Sequence, residues 1–301
     1  MPDAVRRHVL PNGLEVSYQS KAELLQFYDD IFEKRIYTRG GISLRDGDIV
    51  FDVGANVGLF TTFVALSHPG SRVFAFEPAP PIFGILQRNV ASYGDRIRLF
   101  PCGLADRAGS AELTFYPHTS GMSSFYASEK EEAAALRTLF RNQLASGKPG
   151  VSSLMDHEAE WIEQRLRHES WTCPLKTLSQ VVREEGVTRI DLLKIDVEKS
   201  EMDVLLGIAP EDWGKIEQVV LEVHDVGDRR QQIEGMLRRQ GFAVRQEQDE
   251  LYRGSDRYNL YAIRDSLHTG KAVAGERQAG AVHRGRIAER VQRTRDKWKR
   301  D

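Results

Sequence analysis

The chain has 301 residues, a formal net charge of −2, 41% hydrophobic and 29% charged side chains, a balance that excludes disordered and collagen-like classes and argues against a general grip on nucleic acid. No apolar run approaches membrane-spanning length, and the first residues lack the apolar core of a signal peptide. The two cysteines, Cys102 and Cys173, form neither a metal-ligand spacing nor a disulfide framework, so a cytoplasmic, reducing setting is expected.

Taken from the start, residues 7–19 read as a hairpin turning at Pro11-Asn12-Gly13, because two alternating runs flank a strong turn signal. Residues 21–37 read as one helix, with Leu24, Leu25, Tyr28, Ile31, Phe32 and Ile36 recurring at helical spacing as a core-facing stripe. Residues 1–48 are thus expected to form an N-terminal hairpin and helical extension to a core over 49–265.

That core opens with a β-branched and aromatic run, Ile49 to Val53, interrupted by Asp52, then Gly54, Asn56 and Gly58 at alternate positions, then a helical run to His68-Pro69-Gly70. Strand, tight glycine turn and helix make a pocket in which the main chain can lie against a ligand and a helix N-terminus offers free N–H groups. The pattern Asp-x-Gly-x-Asn-x-Gly is a poor match to the dinucleotide fingerprint. It resembles motif I of class I S-adenosylmethionine-dependent methyltransferases, where a carboxylate suits the ammonium of the ligand's amino-acid end. A second buried strand, 71–76, ends in Glu77-Pro78, and an acid at that tip can accept from both hydroxyls of a ribose. Residues 81–93 read as a crossover helix and 97–102 as a third strand, after which Leu104, Ala105 and Asp106 are placed to face an adenine.

The alternation then breaks. A strand at 110–116, a polar loop at 117–126 and two charged amphipathic helices, 129–146 and 156–168, are too much for a crossover. Residues 116–170 therefore read as a helical lid, with His118, Ser120 and Met122 nearest the crevice. A short strand at 172–175 and a helix at 178–185 follow.

Two further strands end in polar residues: 190–198, with Lys194, Asp196 and Glu198 on one face by the period of two, and 219–225, with Glu222 and His224 on one face. Acids and a histidine at the ends of apolar strands need partners or a polar crevice. A histidine beside carboxylates suits general-base work, with Glu198 or Glu222 as its partner, and an Mg²⁺ site built from Asp196, Glu198 and Glu222 is the competing reading. A helix at 229–240 and strands at 242–246 and 259–263 close the pattern as an antiparallel hairpin. Residues 266–301 shift to a Gly/Ala-rich, then basic composition expected of a linker or solvated terminal helix.

With FDVGANVGLF at 51–60, AFEP at 75–78 and above all DLLKIDVEKSEMDVLLGI at 191–208, the sequence resembles the FkbM family of S-adenosylmethionine-dependent O-methyltransferases. The opening LPNGLEV and the LEVHD at 221–225 are most similar to members embedded in polyketide synthases. The resemblance implies a class I methyltransferase (Rossmann-like) α/β fold with a mostly parallel seven-stranded sheet ending in an antiparallel hairpin. It implies methylation of a hydroxyl on a chain carried by an acyl carrier protein, the β-hydroxyl being expected, among neighbouring polyketide synthase domains and without nucleic acid, membrane or metal. His224 is implied as the proton acceptor. One departure stands out: many relatives have Glu-Gly where this chain has Glu198-Lys199, a side chain at a helix entrance that is expected near substrate. A non-catalytic ligand-binding or docking domain is the alternative from another class, and a nicotinamide oxidoreductase lacks its phosphate-binding glycines.

Overall fold

Arg7–Val9 (β1) and Glu15–Ser17 (β2) pair antiparallel about the Asn12-Gly13 turn, as the spacing predicts. The computed structural model describes residues 6–145 and 157–264, so the expected linker or helix beyond 264 and positions 146 and 156, expected as helix ends, lie outside the described residues. Asn89 clamps the hairpin to the core, accepting from the Ser17 N–H at 2.7 Å and donating to its carbonyl at 3.0 Å.

The helix expected over 21–37 is α-helical only through Lys21–Tyr28 (α1). It widens into a π turn over Asp29–Glu33, closed by the Lys34 N–H on the Asp29 carbonyl at 2.8 Å, and Arg35 takes a left-handed φ of 55° before a 3₁₀ turn over Ile36–Thr38. A π turn advances the chain by one extra residue, so positions after it leave the 3.6-residue stripe. Tyr37, buried on this last turn, lines the molecule's main crevice.

The apolar runs become strands: Ile49–Val53 (β3) and Arg72–Phe76 (β4) are buried on both faces, and Ile97–Phe100 (β5), at the sheet edge, is only partly covered. Gly103–Leu104 (β6), Gly109–Phe115 (β7) and Glu169–Lys176 (β8) form a separate three-stranded sheet in the order β6-β8-β7. Leu192–Ile195 (β9), Gln218–His224 (β10), Phe242–Glu247 (β11) and Arg257–Arg264 (β12) complete the central sheet, whose order is β11-β12-β10-β9-β3-β4-β5. β12 alone runs antiparallel to its neighbours, which gives the expected mixed ending.

Successive strand residues feed two cores. Val50, Leu192 and Val220 pack with Leu59–Ser67 (α2), Pro80–Val90 (α3) and α1, while Phe51, Leu193 and Leu221 pack on the opposite face. The short strand read at 172–175 is longer than expected and stands outside the central sheet, pairing with β7 from Gly109↔Leu175 to Phe115↔Glu169. Its half-exposed alternation suits a ribbon rather than a strand covered on both faces. This ribbon is the stalk from which the lid helices Glu129–Ala145 (α4) and Glu158–Leu166 (α5) project. Leu178–Glu184 (α6), Glu201–Leu206 (α7) and Arg229–Arg239 (α8) complete the helices used below. Among the described residues no helix is long and apolar enough to cross a membrane.

Candidate active site

The strand order reverses between β3 and β9, and the carboxyl ends of strands at such a switch point line a crevice. A cavity of about 380 Å³ lies there, bounded by the glycine turn, the tips of β4, β5, β9 and β10, helix α1, and the lid helices α4 and α5. Its size falls in the range of small-molecule sites.

On the β3 side the main chain forms the wall from Val53 to Val57. Gly54 has φ 77°, and a Cβ there would stand 1.8 Å from the Asp196 carbonyl oxygen, so only glycine lets the β3 and β9 tips approach this closely. Glu77 faces the cavity from the β4 tip and accepts from the Asn56 N–H at 3.0 Å and the Ala79 N–H at 2.8 Å. Burial pushes its carboxyl up to about 7, against these two backbone bonds. Leu104 lines the cavity beyond the β5 tip.

Four expected cofactor contacts fall elsewhere. Asp52 is fully buried, held by Thr61 Oγ1 at 2.6 Å and Lys194 Nζ at 3.0 Å, and it is not part of the cavity wall. Lys194 in turn donates to the Gly54 carbonyl at 2.7 Å, so Asp52 shapes the turn through Lys194. Gly58 packs against α3, where a Cβ would meet Leu86 Cδ1 at 2.6 Å. Ala105 lies off the wall, and the Asp106 side chain is 45% exposed beside Arg107. The reason is β6: pairing with β8 turns the chain away from the crevice immediately after Leu104.

On the β9 and β10 side the chain concentrates charge. β9 ends at Ile195, and Glu198 and Lys199 take left-handed φ values of 39° and 72°, so the period of two does not extend to Glu198. Asp196 accepts from the Tyr37 hydroxyl at 2.5 Å. His224 is 3% exposed and sits behind Glu198 rather than on the wall. Its Nδ1 is 2.7 Å from Glu201 Oε1, and its Nε2 is 3.0 Å from Glu198 Oε2. Burial works to lower the imidazole, but Glu198 and then Glu201 hold it well above the usual histidine range, as an imidazolium between two carboxylates.

The sequence offers Glu198 or Glu222 as the partner of His224. The structure brings in Glu198, adds Glu201 and turns Glu222 elsewhere. Arg257, the first residue of β12 and opposite His224 in register, donates to Glu198 Oε1 at 2.7 Å and lies 3.1 Å from Glu222 Oε1. Burial, followed after the opposing Arg257 by Asp196 and Glu198, pushes the Glu222 carboxyl up to about 8. For Glu198 burial acts upward too, but Arg257 and His224 outweigh it and hold the carboxyl low. Sequence reasoning missed Glu201, Arg257 and Tyr37; each becomes a candidate only through a contact distant in the chain.

Of the lid residues, Ser120 and Met122 line the cavity, whereas His118 is exposed outside it. Glu23 of α1 clasps this loop, accepting from the Ser120 N–H and the Gly121 N–H, both at 3.0 Å. The lid wall is largely apolar, with Leu136, Leu139 and Phe140 from α4 and Trp161 from α5 facing Phe27 of α1.

On the wall, Ser200 Oγ and Asn259 Oδ1 are buried polar atoms with no hydrogen-bond partner among the described residues. With the Glu77 carboxylate and the exposed backbone of the glycine turn, they fit a ligand carrying a ribose and a polar amino-acid end. Glu198, Glu222 and His224 also place three ligand-type atoms within 4.8 Å of one another. Arg257 already neutralises the two acids of that trio, so a metal ion would have to displace a guanidinium.

The Methyltransferase FkbM domain profile matches residues 52–244. The chain is 40% identical over 269 residues to the 31-O-demethyl-FK506 methyltransferase FkbM of Streptomyces tacrolimicus, covering 88% of this chain and 99% of that one. It is 42% identical over 262 residues to the AMB antimetabolite synthetase AmbE of Pseudomonas aeruginosa, covering 85% of this chain but 12% of AmbE. The methyltransferase sdnD of Sordaria araneosa is 33% identical, over 77% of this chain and 86% of its own length. Among solved structures, a methyltransferase FkbM from Methylobacillus flagellatus KT aligns with a TM-score of 0.47 at 15% identity, covering 75% of this chain and 46% of that chain. With its class I sheet order and a cavity suited to S-adenosylmethionine, the chain belongs to the FkbM methyltransferase family and is an S-adenosylmethionine-dependent methyltransferase.

Proposed function

We propose that the chain methylates a hydroxyl oxygen on an apolar chain, in the first instance the β-hydroxyl of a polyketide intermediate bound to an acyl carrier protein. The observation that carries this reading is a single cavity joining the Glu77 and glycine-turn wall to the Asp196, Glu198 and Glu222 wall, under a roof of Phe27, Leu136, Leu139, Phe140 and Trp161. Support for oxygen as the acceptor comes from the Streptomyces tacrolimicus relative, which is named for a 31-O-demethyl substrate. Support for a tethered acceptor comes from the match to a segment of the synthetase AmbE. A free small-molecule alcohol is the alternative.

S-adenosylmethionine, when bound, supplies a methyl group on a sulfonium, already a good leaving group. The protein therefore has to hold the alcohol in line and take its proton. Glu77 and the main chain of Gly54 to Val57 would hold the cofactor. Glu198 is the wall residue that meets the hydroxyl. The reactive form is the one in which His224 has lost its Nε2 proton: the ionised Glu198 carboxylate takes the hydroxyl proton and hands it to the free Nε2, while Glu201 holds Nδ1–H so that Nε2 is the accepting nitrogen. Arg257 keeps Glu198 ionised, and Tyr37 orients Asp196 at the neighbouring tip. No metal has a part in this scheme: dialysis against EDTA leaves turnover intact, whereas loss on EDTA and recovery with Mg²⁺ would assign Glu198 and Glu222 to an ion instead.

The direct experiment offers carrier-bound β-hydroxyacyl chains and their free thioester analogues, and follows intact mass. Gain of one methyl on the carrier-bound chain is expected. Methylation of the free alcohol alone would favour the small-molecule reading, and cofactor binding without any methyl gain would favour a docking domain.

Glu77 gives a separate prediction. Its carboxylate form would accept from both ribose hydroxyls, so with a folded pKa of about 7 cofactor binding is expected to tighten as pH rises through that value. Glu77→Ala weakens binding by roughly 1–3 kcal/mol, the scale of a lost charge-assisted hydrogen bond, and removes the pH dependence. Calorimetry at pH values on either side of the transition checks both.

A further inference from the structure

Lys199 occupies a backbone position suited to glycine. Its φ is 72°, a left-handed value that costs any residue with a Cβ, and Glu198 beside it is also left-handed at 39°. Strain of this kind persists where the surroundings over-determine it. The Lys199 side chain is 7% exposed, yet it does not line the cavity where a substrate contact was expected. Its Nζ instead reaches the first turn of the lid helix α4, lying 2.8 Å from Glu131 Oε2 and 3.0 Å from Glu132 Oε1. Acids in a helix's first turn are already favoured by the helix dipole, so α4 does not need this lysine in order to form.

The peptide of Lys199 is tied just as firmly to the proton-handling groups. Its N–H donates to Glu201 Oε1 at 2.9 Å, the same oxygen that meets His224 Nδ1. Its carbonyl accepts from Arg229 Nη1 at 2.7 Å, and the Glu198 carbonyl accepts from Ser124 Oγ, in the loop leading to the lid, at 2.6 Å.

We propose that Lys199 is a positioning residue that latches lid helix α4 to the turn carrying Glu198 and Glu201, so that closing the lid and aligning His224 are one event. This inference rests on the insertion acting as a lid over the acceptor, not on which acceptor is used. Removing the ammonium frees α4; removing the whole side chain frees α4 and also relieves the backbone.

The test compares Lys199→Gly, Lys199→Met and Lys199→Arg with the parent, and adds the reversed pair Lys199→Glu with Glu132→Lys. Lys199→Gly is expected to melt above Lys199→Met, because both lose the buried pair with Glu132 but only glycine prefers this φ. Amide exchange over α4 should rise roughly tenfold in the Gly and Met variants, with β3 and β9 unchanged, and stay near the parent in the Arg and reversed-pair proteins. With an acceptor in hand, kcat falls in the Gly and Met variants while cofactor affinity holds. Equal α4 exchange in parent and Lys199→Met would overturn the latch. Because exchange is read without an acceptor, faster α4 exchange in a protein that methylates no alcohol would count against the proposed reaction and leave the latch standing.

Discussion

His224→Ala is expected to bind S-adenosylmethionine as the parent does and to lose ~10²–10⁴ of turnover, the usual worth of a positioned base. An alcohol holds its proton too tightly to release it unaided at neutral pH, and Glu198 alone, held low by Arg257 and His224, is a weak acceptor. In the proposed scheme the imidazole behind it supplies the driving force. Removing it also leaves Glu198 and Glu201 buried without their shared cation, so His224→Gln, which keeps a hydrogen-bond donor, serves as the control for folding. Cofactor titration and single-turnover rates on both variants check the expectation. Near-parental turnover in either would move the base to a wall carboxylate, of which Glu222, with its pKa near 8, is the better placed.

The largest expected effect on stability comes from Arg257→Leu. The guanidinium is the shared partner of Glu198 and Glu222, with side-chain exposures of 10% and 9%, and breaking a buried ion pair from one side costs about 3–5 kcal/mol. The pH dependence has a definite sign. Glu198 has its folded pKa lowered, so its contribution is present above the unfolded value of 4.5 and is lost as pH falls through the folded value. Glu222 has its folded pKa raised to about 8, so it favours the fold fully below 4.5, a benefit lost as pH rises through about 8. The penalty of Arg257→Leu is therefore largest in alkaline solution and shrinks toward acid. Denaturant melts across that range, with urea rather than a salt as denaturant, measure it; a penalty independent of pH would mean that the guanidinium acts through packing alone.

What could be read in the sequence was whatever depends on neighbours in the chain. The buried strands, the glycine turn, the acid at the β4 tip and the closing hairpin follow from periodicity and turn chemistry, and all are in the fold. Asp52 was misplaced because a carboxylate beside a glycine turn looks the same in sequence whether it meets a ligand or a lysine from the next strand. Asp106 was misplaced because β6 leaves the crevice to pair with β8, a long-range choice. Glu201 reads locally as an ordinary first-turn acid of α7, and Arg257 as the end of a loop; only the register of β12 against β10 sets Arg257 opposite His224. Tyr37 was hidden because it falls outside the helical stripe that ends at Ile36, and only the π turn and its bond to Asp196 bring it to the site.

The central claim, that His224 Nε2 is the terminal acceptor of the hydroxyl proton, is tested most directly by the pH dependence of kcat/KM in the parent and in Glu201→Gln. A base works only without its proton, and His224 holds its own well above the usual histidine value of 6.5, so the parent rate rises with pH through an ionisation on the alkaline side of that value. Glu201→Gln keeps an acceptor for Nδ1–H but removes a charge that favours the imidazolium, so the rising limb moves to lower pH while the maximal rate drops. A limb at the same pH in both proteins, or one that persists in His224→Gln, would contradict the assignment.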